Sequence, residues 1–250
     1  MKKYTGSCYL GVVGPETGFV DCWMSIMNIE RRPGDSIPTF VQGTKGYEGR
    51  QAHFNRFIES EHDVMFLLDH DMIFRADTLE RLRSWEMPFV SGFYMRRRHS
   101  PIAPVWYDPY TGEWPLMPYY DLPPKDKLVP IGASGWGCML IHREVVEKTR
   151  EYLGGEWDVI EDDCDVWADT GEPLRPNKDP IGSDIRYPLY ALRAGYQLMG
   201  DGGVMVGHMF NFPLSIENFE QLPEEQRQQW KDKIVSDVLD IREQLKGDGS

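Results

Sequence analysis

The sequence predicts an α/β fold: one domain with a mostly parallel central sheet flanked by helices, followed by a C-terminal helix. Three observations predict it. Over roughly the first ninety residues, short apolar runs alternate with segments of helical periodicity, the pattern of a parallel sheet built with right-handed crossovers. The run Val64-Met65-Phe66-Leu67-Leu68 has strand length and is apolar throughout, as in a strand covered on both faces. It ends in Asp69-His70-Asp71, so two carboxylates one residue apart stand where a core strand surfaces.

The elements follow in order. Cys8 to Val13 is a first strand closed by Gly14-Pro15. Val20 to Ile29 carries Val20, Trp23, Met24 and Met27 at helical spacing. Arg31 to Pro38 is a loop, and Pro38 to Gln42 a second strand ended by Gly43 and Gly46. Glu48 to Ser60 is a helix with Ala52, Phe54, Phe57 and Ile58 as its inner face, and the strand into Asp69 follows. Asp77-Thr78-Leu79-Glu80 has the form of a capping box, and Leu79, Leu82 and Trp85 continue as a helix. Phe89 to Met95 is a strand. Ser100 to Pro130, rich in Pro, Tyr and Trp, breaks the rhythm as irregular loops or short antiparallel strands.

Cys138 to Ile141 returns to strand, and His142 to Leu153 is a helix stopped by Gly154-Gly155, with Arg143–Glu147 and Glu144–Lys148 spaced to pair. Glu156 to Glu172 is an acidic loop. Ser183 is expected to cap a helix that ends at Gly195. Leu198-Met199 and Val204-Met205-Val206 are expected to flank a turn at Gly200-Asp201-Gly202-Gly203. Glu224 to Lys246 is a charged amphipathic helix. Residues 1–222 are thus expected to form one domain, with 223–250 as a C-terminal helix and tail that offers a surface for homo-oligomer formation.

A net charge of −13 argues against a nonspecific binder of nucleic acid or acidic membrane. A local basic patch remains at Arg96-Arg97-Arg98-His99. The four cysteines, Cys8, Cys22, Cys138 and Cys164, lack paired metal-ligand spacing and are too few for a disulfide scaffold. No apolar run approaches membrane-spanning length. The expectation is a soluble, cytoplasmic protein.

In an extended chain alternate side chains point the same way, so Asp69 and Asp71 share a face. Two carboxylates at the C-terminal end of a buried strand suit a hard divalent cation, and in open α/β sheets that end is where ligands bind. An acidic turn after a strand would look the same locally. Three later features join the pair. Gly132-Ala133-Ser134-Gly135-Trp136-Gly137 allows close backbone approach to a ligand. Its indole is either a face for a sugar ring or a core tryptophan. Gly182-Ser183-Asp184 puts an acid in the first turn of a helix, where negative charge is favoured in any case. His208, after the run Val204-Met205-Val206, is either a packed core histidine or a ligand.

Taken in order, these features resemble the GT-A fold glycosyltransferases that use nucleotide-diphosphate sugars. The resemblance spans Cys8 to His208: first strand, helical Arg50 and Asn55, Asp-x-Asp, glycine-rich aromatic loop, acid at a helix start, late histidine. It implies that Asp69 and Asp71 hold Mn2+ or Mg2+ on the donor diphosphate, with His208 as third ligand. It places Gly14, Pro15, Glu16 and Gln42 where base and ribose are read, with Asn55 and His70 beside the nucleotide. Arg50 falls where a basic group helps place the diphosphate. Ser134, Gly135, Trp136 and Gly137 match the sugar and acceptor loop. Asp184 matches the acid that contacts the acceptor or acts as base, although the family often has Glu-Asp where this chain has Ser183-Asp184. The expected donor is UDP- or GDP-linked and the acceptor a small molecule or glycan. By resemblance alone, the histidine ligand leans to retention at the anomeric carbon.

The chemistry fits such a site. A cation and Arg50 would stabilise the charge of a nucleoside-diphosphate leaving group, and a lid would exclude water. The acidic loop or the aromatic insert is placed for a lid, although a solvated surface stretch explains the acidic loop as well. Two other classes compete. A metal-dependent phosphoesterase would use Asp69, His70, Asp71 and His208, but two-metal sites draw more ligands from several strands. A non-catalytic carbohydrate- or nucleic-acid-binding module would use the eight tryptophans and the arginine patch.

Overall fold

A computed structural model describes residues 4–15, 17–42, 46–96, 103–112, 116–155, 182–209, 213–214 and 220–247. Glu16, Arg97 to His99 of the basic patch, and the acidic stretch 156–172 lie outside them.

The predicted alternation is present. The chain runs β1 (Cys8–Gly14), α1 (Val20–Met27), β2 (Thr39–Gln42), α2 (Gly46–Glu59), β3 (Val64–Asp69), β4 (Met72–Ile73), α3 (Thr78–Ser84) and β5 (Phe89–Phe93). It continues with β6 (Val129–Pro130), β7 (Cys138–His142), α4 (Arg143–Tyr152), α5 (Ser183–Arg193), β8 (Met199–Met205), β9 (Gly207–Met209), β10 (Pro213–Leu214) and a last helix, α6 (Glu224–Gly247). Among the described residues no helix is long and apolar enough to cross a membrane.

The main sheet has the order β2-β1-β3-β7-β5-β8-β6. Pairs β1–β2, β1–β3 and β5–β8 are parallel, whereas β7 runs antiparallel to both β3 and β5. This inversion positions the site. Because β7 runs backwards, Cys138 at its start lies opposite Leu68 near the end of β3. The loop 132–137 therefore arrives at the end of the sheet where Asp69 emerges. The helices α2 and α5 precede parallel strands, so they start from that same end, with Asp184 in the first turn of α5 and Arg50 just past the first turn of α2.

Apolar strands buried on both faces form the core, with Leu10, Val12, Phe66, Leu68, Val90, Leu140 and Ile141. Phe54, Phe57, Leu79, Leu82, Val145, Val146 and Tyr187 press onto them from the helices. At about 25 cal/mol per Å2 of apolar surface removed from water, such side chains contribute roughly 1.5–3 kcal/mol each. The side chains of Trp230 and Ile234 lay one face of α6 against this body, while Leu239 and Ile241 of the same helix stay exposed.

Four expectations need correction. The glycine run 200–203 is not a turn but the middle of β8. Its missing side chains make room: a Cβ on Gly200 would meet Trp106 at 2.5 Å, and one on Gly203 would collide with the Arg81 guanidinium. Between them Asp201 is buried, taking Arg81 Nε and Nη2 at 2.9 Å each, Trp85 Nε1 at 2.7 Å and the Gly203 N–H at 2.8 Å. Ser183 does not cap α5; Gly182 holds the N-cap position and Ser183 is the first helical residue. The capping box at Asp77 is not made, because Asp77 is itself helical and pairs with Arg75, while Glu80 pairs with Arg83 and Arg32. Glu144 takes the Tyr196 hydroxyl at 2.9 Å and Lys148 pairs with Glu151, so the predicted Glu144–Lys148 pair gives way to contacts that α4 meets in the folded chain.

Candidate active site

The end of the sheet where β1, β2 and β3 finish brings most of the predicted residues together. Gly14 stands opposite Gln42 in the β1–β2 register, and Val13 opposite Asp69 in β1–β3. His70 donates its backbone N–H to Val13 O at 3.0 Å, and a Cβ on Gly14 would strike the His70 ring. Gly14 is thus glycine because His70 lies across it.

Asp69 keeps about a quarter of its side chain open, 26%, and meets Arg50 Nη2 at 3.5 Å. Burial raises the Asp69 pKa; Arg50 opposes this and the neighbouring Asp71 adds to it. Arg50 also lies 5.8 Å from the centre of the Trp136 ring. Its Nε is buried with no hydrogen-bond partner among the described residues.

Asp71 follows one residue on and is held by the small sheet β10-β9-β4, in which Met72 pairs with His208. His208 Nε2 lies 3.3 Å from Asp71 Oδ2, and His208 Nδ1 lies 2.9 Å from Met95 O. A carbonyl only accepts, so Nδ1 carries the proton in that contact. Nε2 then faces a carboxylate and needs either a second proton or a cation between them. The raised pKa of His208 expresses this: burial pulls it down, but the hydrogen bond and charge of Asp71 outweigh burial. A metal-ligating histidine commits its other ring N–H to a carbonyl in this way, and a plain histidine–carboxylate ion pair makes the same two contacts. Burial, with Asp71 and Asp21 nearby, pushes the Cys22 thiol up to about 12, so without a bound cation it stays protonated.

Among the described residues no three His, Cys, Asp or Glu side chains stand close enough to hold a metal by themselves. Asp69 turns to Arg50 and Asp71 to His208. The expected set of Asp69, Asp71 and His208 as three ligands to one cation is therefore not assembled among the described residues.

The loop 132–137 does not offer its indole. Trp136 is 2% exposed and packs against Phe54, Tyr187 and Arg50. Of the two readings the sequence left open, the core tryptophan is the one found: the inverted strand β7 turns the ring inward. What the loop can present is backbone. Ser134 is buried as well, sharing a hydrogen bond with Ser91 at 2.8 Å. Asp184 folds back over the N-terminus of α5, its Oδ1 only 2.3 Å from where a Cβ of Gly182 would be. Asn55 is not brought in: it is exposed and accepts from Gln51 at 3.5 Å.

Two residues that the sequence reading passed over matter here. Tyr94, just past β5, is buried at 3% exposure and accepts the Gly137 N–H at 2.8 Å. His53 is fully buried under β1, with Nε2 3.0 Å from Val12 O and Nδ1 2.8 Å from the Tyr9 hydroxyl. Only the predicted inner face of α2 hinted at His53, one position from Phe54.

No family model matches the chain, and no curated protein matches it. Among solved structures, the chain is similar to A197 from STIV, with 11% identity, 82% of this chain and 86% of that one covered, and a TM-score of 0.48. It is also similar to GalNAc-T7, solved with UDP, GalNAc and Mn2+, at 10% identity and a TM-score of 0.52. That match covers 82% of this chain and 44% of the other, so the chain spans less than half of that transferase. The likeness shows the fold: the chain has a GT-A-like α/β architecture.

Proposed function

We propose that the chain is a metal-dependent glycosyltransferase that takes a sugar from a nucleoside-diphosphate sugar, UDP- or GDP-linked, to a hydroxyl acceptor. The observation that carries this reading is the Asp71–His208 pair, set beside Asp69–Arg50 at the ends of β1, β2 and β3. Carboxylate, imidazole and guanidinium there match a cation bound to a diphosphate. The structural neighbour solved with UDP and Mn2+ supports the same class through its fold.

In this reading Asp71 and His208 hold Mn2+ or Mg2+, with Asp69 completing the acidic pair. A cation held by these residues would neutralise charge on the departing nucleoside diphosphate. Arg50 adds a fixed positive charge on the diphosphate side. Gly14, Pro15, Gln42 and His70 form the wall against base and ribose. The backbone of Ser134 to Gly137 borders the sugar and acceptor. Asp184, in the first turn of a helix that favours its ionised form, accepts the acceptor hydroxyl's proton or orients that hydroxyl.

A thermal-shift screen of UDP and GDP, each with and without Mn2+, tests the reading. Binding to the native state raises its melting temperature by mass action, and the reading requires that nucleotide and Mn2+ together exceed the sum of each alone. Release of phosphate from simple esters without nucleotide selectivity would favour a hydrolase instead.

A further inference from the structure

The hydroxyl of Tyr94 fills a notch that two glycines leave for it. It accepts the Gly137 N–H at 2.8 Å. A Cβ on Gly135 would stand 2.2 Å from that same oxygen, and one on Gly137 2.9 Å from it. Both glycines of Gly135-Trp136-Gly137 thus have a local physical reason, which is the tyrosine and not a ligand. The other side of the ring meets the site. It packs edge-on to the His208 imidazole, with centroids 5.8 Å apart and planes at 79°. His208 is fixed on the same segment, because Met95, the residue after Tyr94 and its neighbour Phe93's run, supplies the carbonyl that takes its Nδ1 proton. Burial first, and then the charges of Asp69 and Asp184, raise the Tyr94 pKa well above the ordinary tyrosine value, so the phenol stays neutral. Both carboxylates therefore lie within electrostatic reach of one ring.

We infer that Tyr94 is a positioning residue that fixes the 134–137 loop relative to His208, so that the acceptor-side backbone and the metal side of the site are held by one side chain. This rests on the glycosyltransferase reading for its consequence in catalysis, but not for its consequence in structure. Another hydrogen bond of the loop, Ser134 to Ser91, also runs to β5 and does not reach the histidine. Removing the Tyr94 hydroxyl frees the Gly137 N–H and empties the notch, while the ring against His208 stays. The loop backbone then drifts relative to the cation and the donor sugar. A small misplacement of this kind costs rate far more than donor affinity.

Two variants separate the outcomes. Calorimetry of UDP with Mn2+ on the wild-type chain tests the donor reading by itself. Tyr94→Phe is then expected to keep UDP and Mn2+ affinity within about twofold, while transfer from the nucleotide sugar that wild type uses falls by about tenfold or more in kcat. Transfer at the wild-type kcat and KM by Tyr94→Phe overturns the inference. The second test needs no activity. Gly135→Ala drives a methyl group into the hydroxyl and is expected to lower Tm sharply; Tyr94→Phe removes the oxygen it strikes and is expected to restore part of that loss in the double variant. Additive losses in Tm would overturn the tie between hydroxyl and loop whatever the substrate proves to be.

Discussion

Asp71 and His208 face each other at 3.3 Å across the seam of β4 and β9, far apart in sequence and locked by the Met72–His208 register. The imidazole's other nitrogen is committed to Met95 O. The pair therefore holds a nitrogen and a carboxylate toward one point, with the ring unable to turn away.

His208→Ala should weaken Mn2+ binding by at least about tenfold, because even the groups that orient a metal-bound histidine are worth that much. The His208 side chain is only 15% exposed, and its loss leaves the buried Asp71 carboxylate without this partner, so a lower metal-free melting temperature is expected beside the loss of Mn2+ affinity. Parallel calorimetry and thermal melts check this; a large loss of Tm with unchanged Mn2+ affinity would mean that the histidine is there for packing.

Asp184→Asn keeps size and hydrogen-bonding capacity and removes the charge. Donor binding with Mn2+ should be nearly unchanged and the transfer rate should fall by a factor of about a hundred or more, as for loss of a positioned base. Steady-state kinetics beside nucleotide titration distinguish the two quantities. A wild-type rate would reduce Asp184 to a helix-end acid.

His53 predicts how stability depends on pH. Its Nε2–H donates to Val12 O and its Nδ1 accepts from the Tyr9 hydroxyl, so the fold uses the neutral ring. Burial lowers its pKa to about 4, below the ordinary 6.5. The folded state thus resists a proton that the unfolded chain accepts. This stabilisation is complete above about pH 6.5 and declines as pH falls toward 4, at about 1.4 kcal/mol per pH unit from this group alone. Urea unfolding at pH 7.0 and pH 5.0 should show it; His53→Gln should flatten that slope.

Asp201 links α3, β8 and the indole of Trp85 through one buried carboxylate. Asp201→Ala leaves Arg81 and the indole N–H without their acceptor. Arg81 is about one-third exposed, 34%, so water recovers part of its solvation. The expected loss is roughly 2–3 kcal/mol, below the range for a fully buried pair. A shift of the urea midpoint at constant slope would report it.

Strand–helix alternation and the aspartate pair were readable because both are local: periodicity marks each element, and the apolar run before Asp69 marks a strand that surfaces. The position of Trp136 was not, since it depends on β7 running against its neighbours, which no residue between Cys138 and His142 announces. Asn55 failed by helix phase. Five residues at about 100° each carry it roughly 140° round α2 from Arg50, out to solvent. Glycines misled at 200–203, where they signal close approach by Trp106 and Arg81, side chains distant in sequence, rather than a turn; at 135 and 137 they also make room for Tyr94, which no local pattern announces.

The central claim is that the carboxylate at Asp71 joins cation and nucleotide. Calorimetric titration of UDP and GDP into wild type and Asp71→Ala, each with and without Mn2+, tests it most directly. The account predicts nucleotide binding that needs Mn2+ in the wild type and is lost in the variant at temperatures where the variant is still folded, since Asp71 is buried against His208 and its removal also lowers the melting temperature. Equal Mn2+-dependent affinity in both proteins would contradict it, and would make the aspartate pair part of the fold alone.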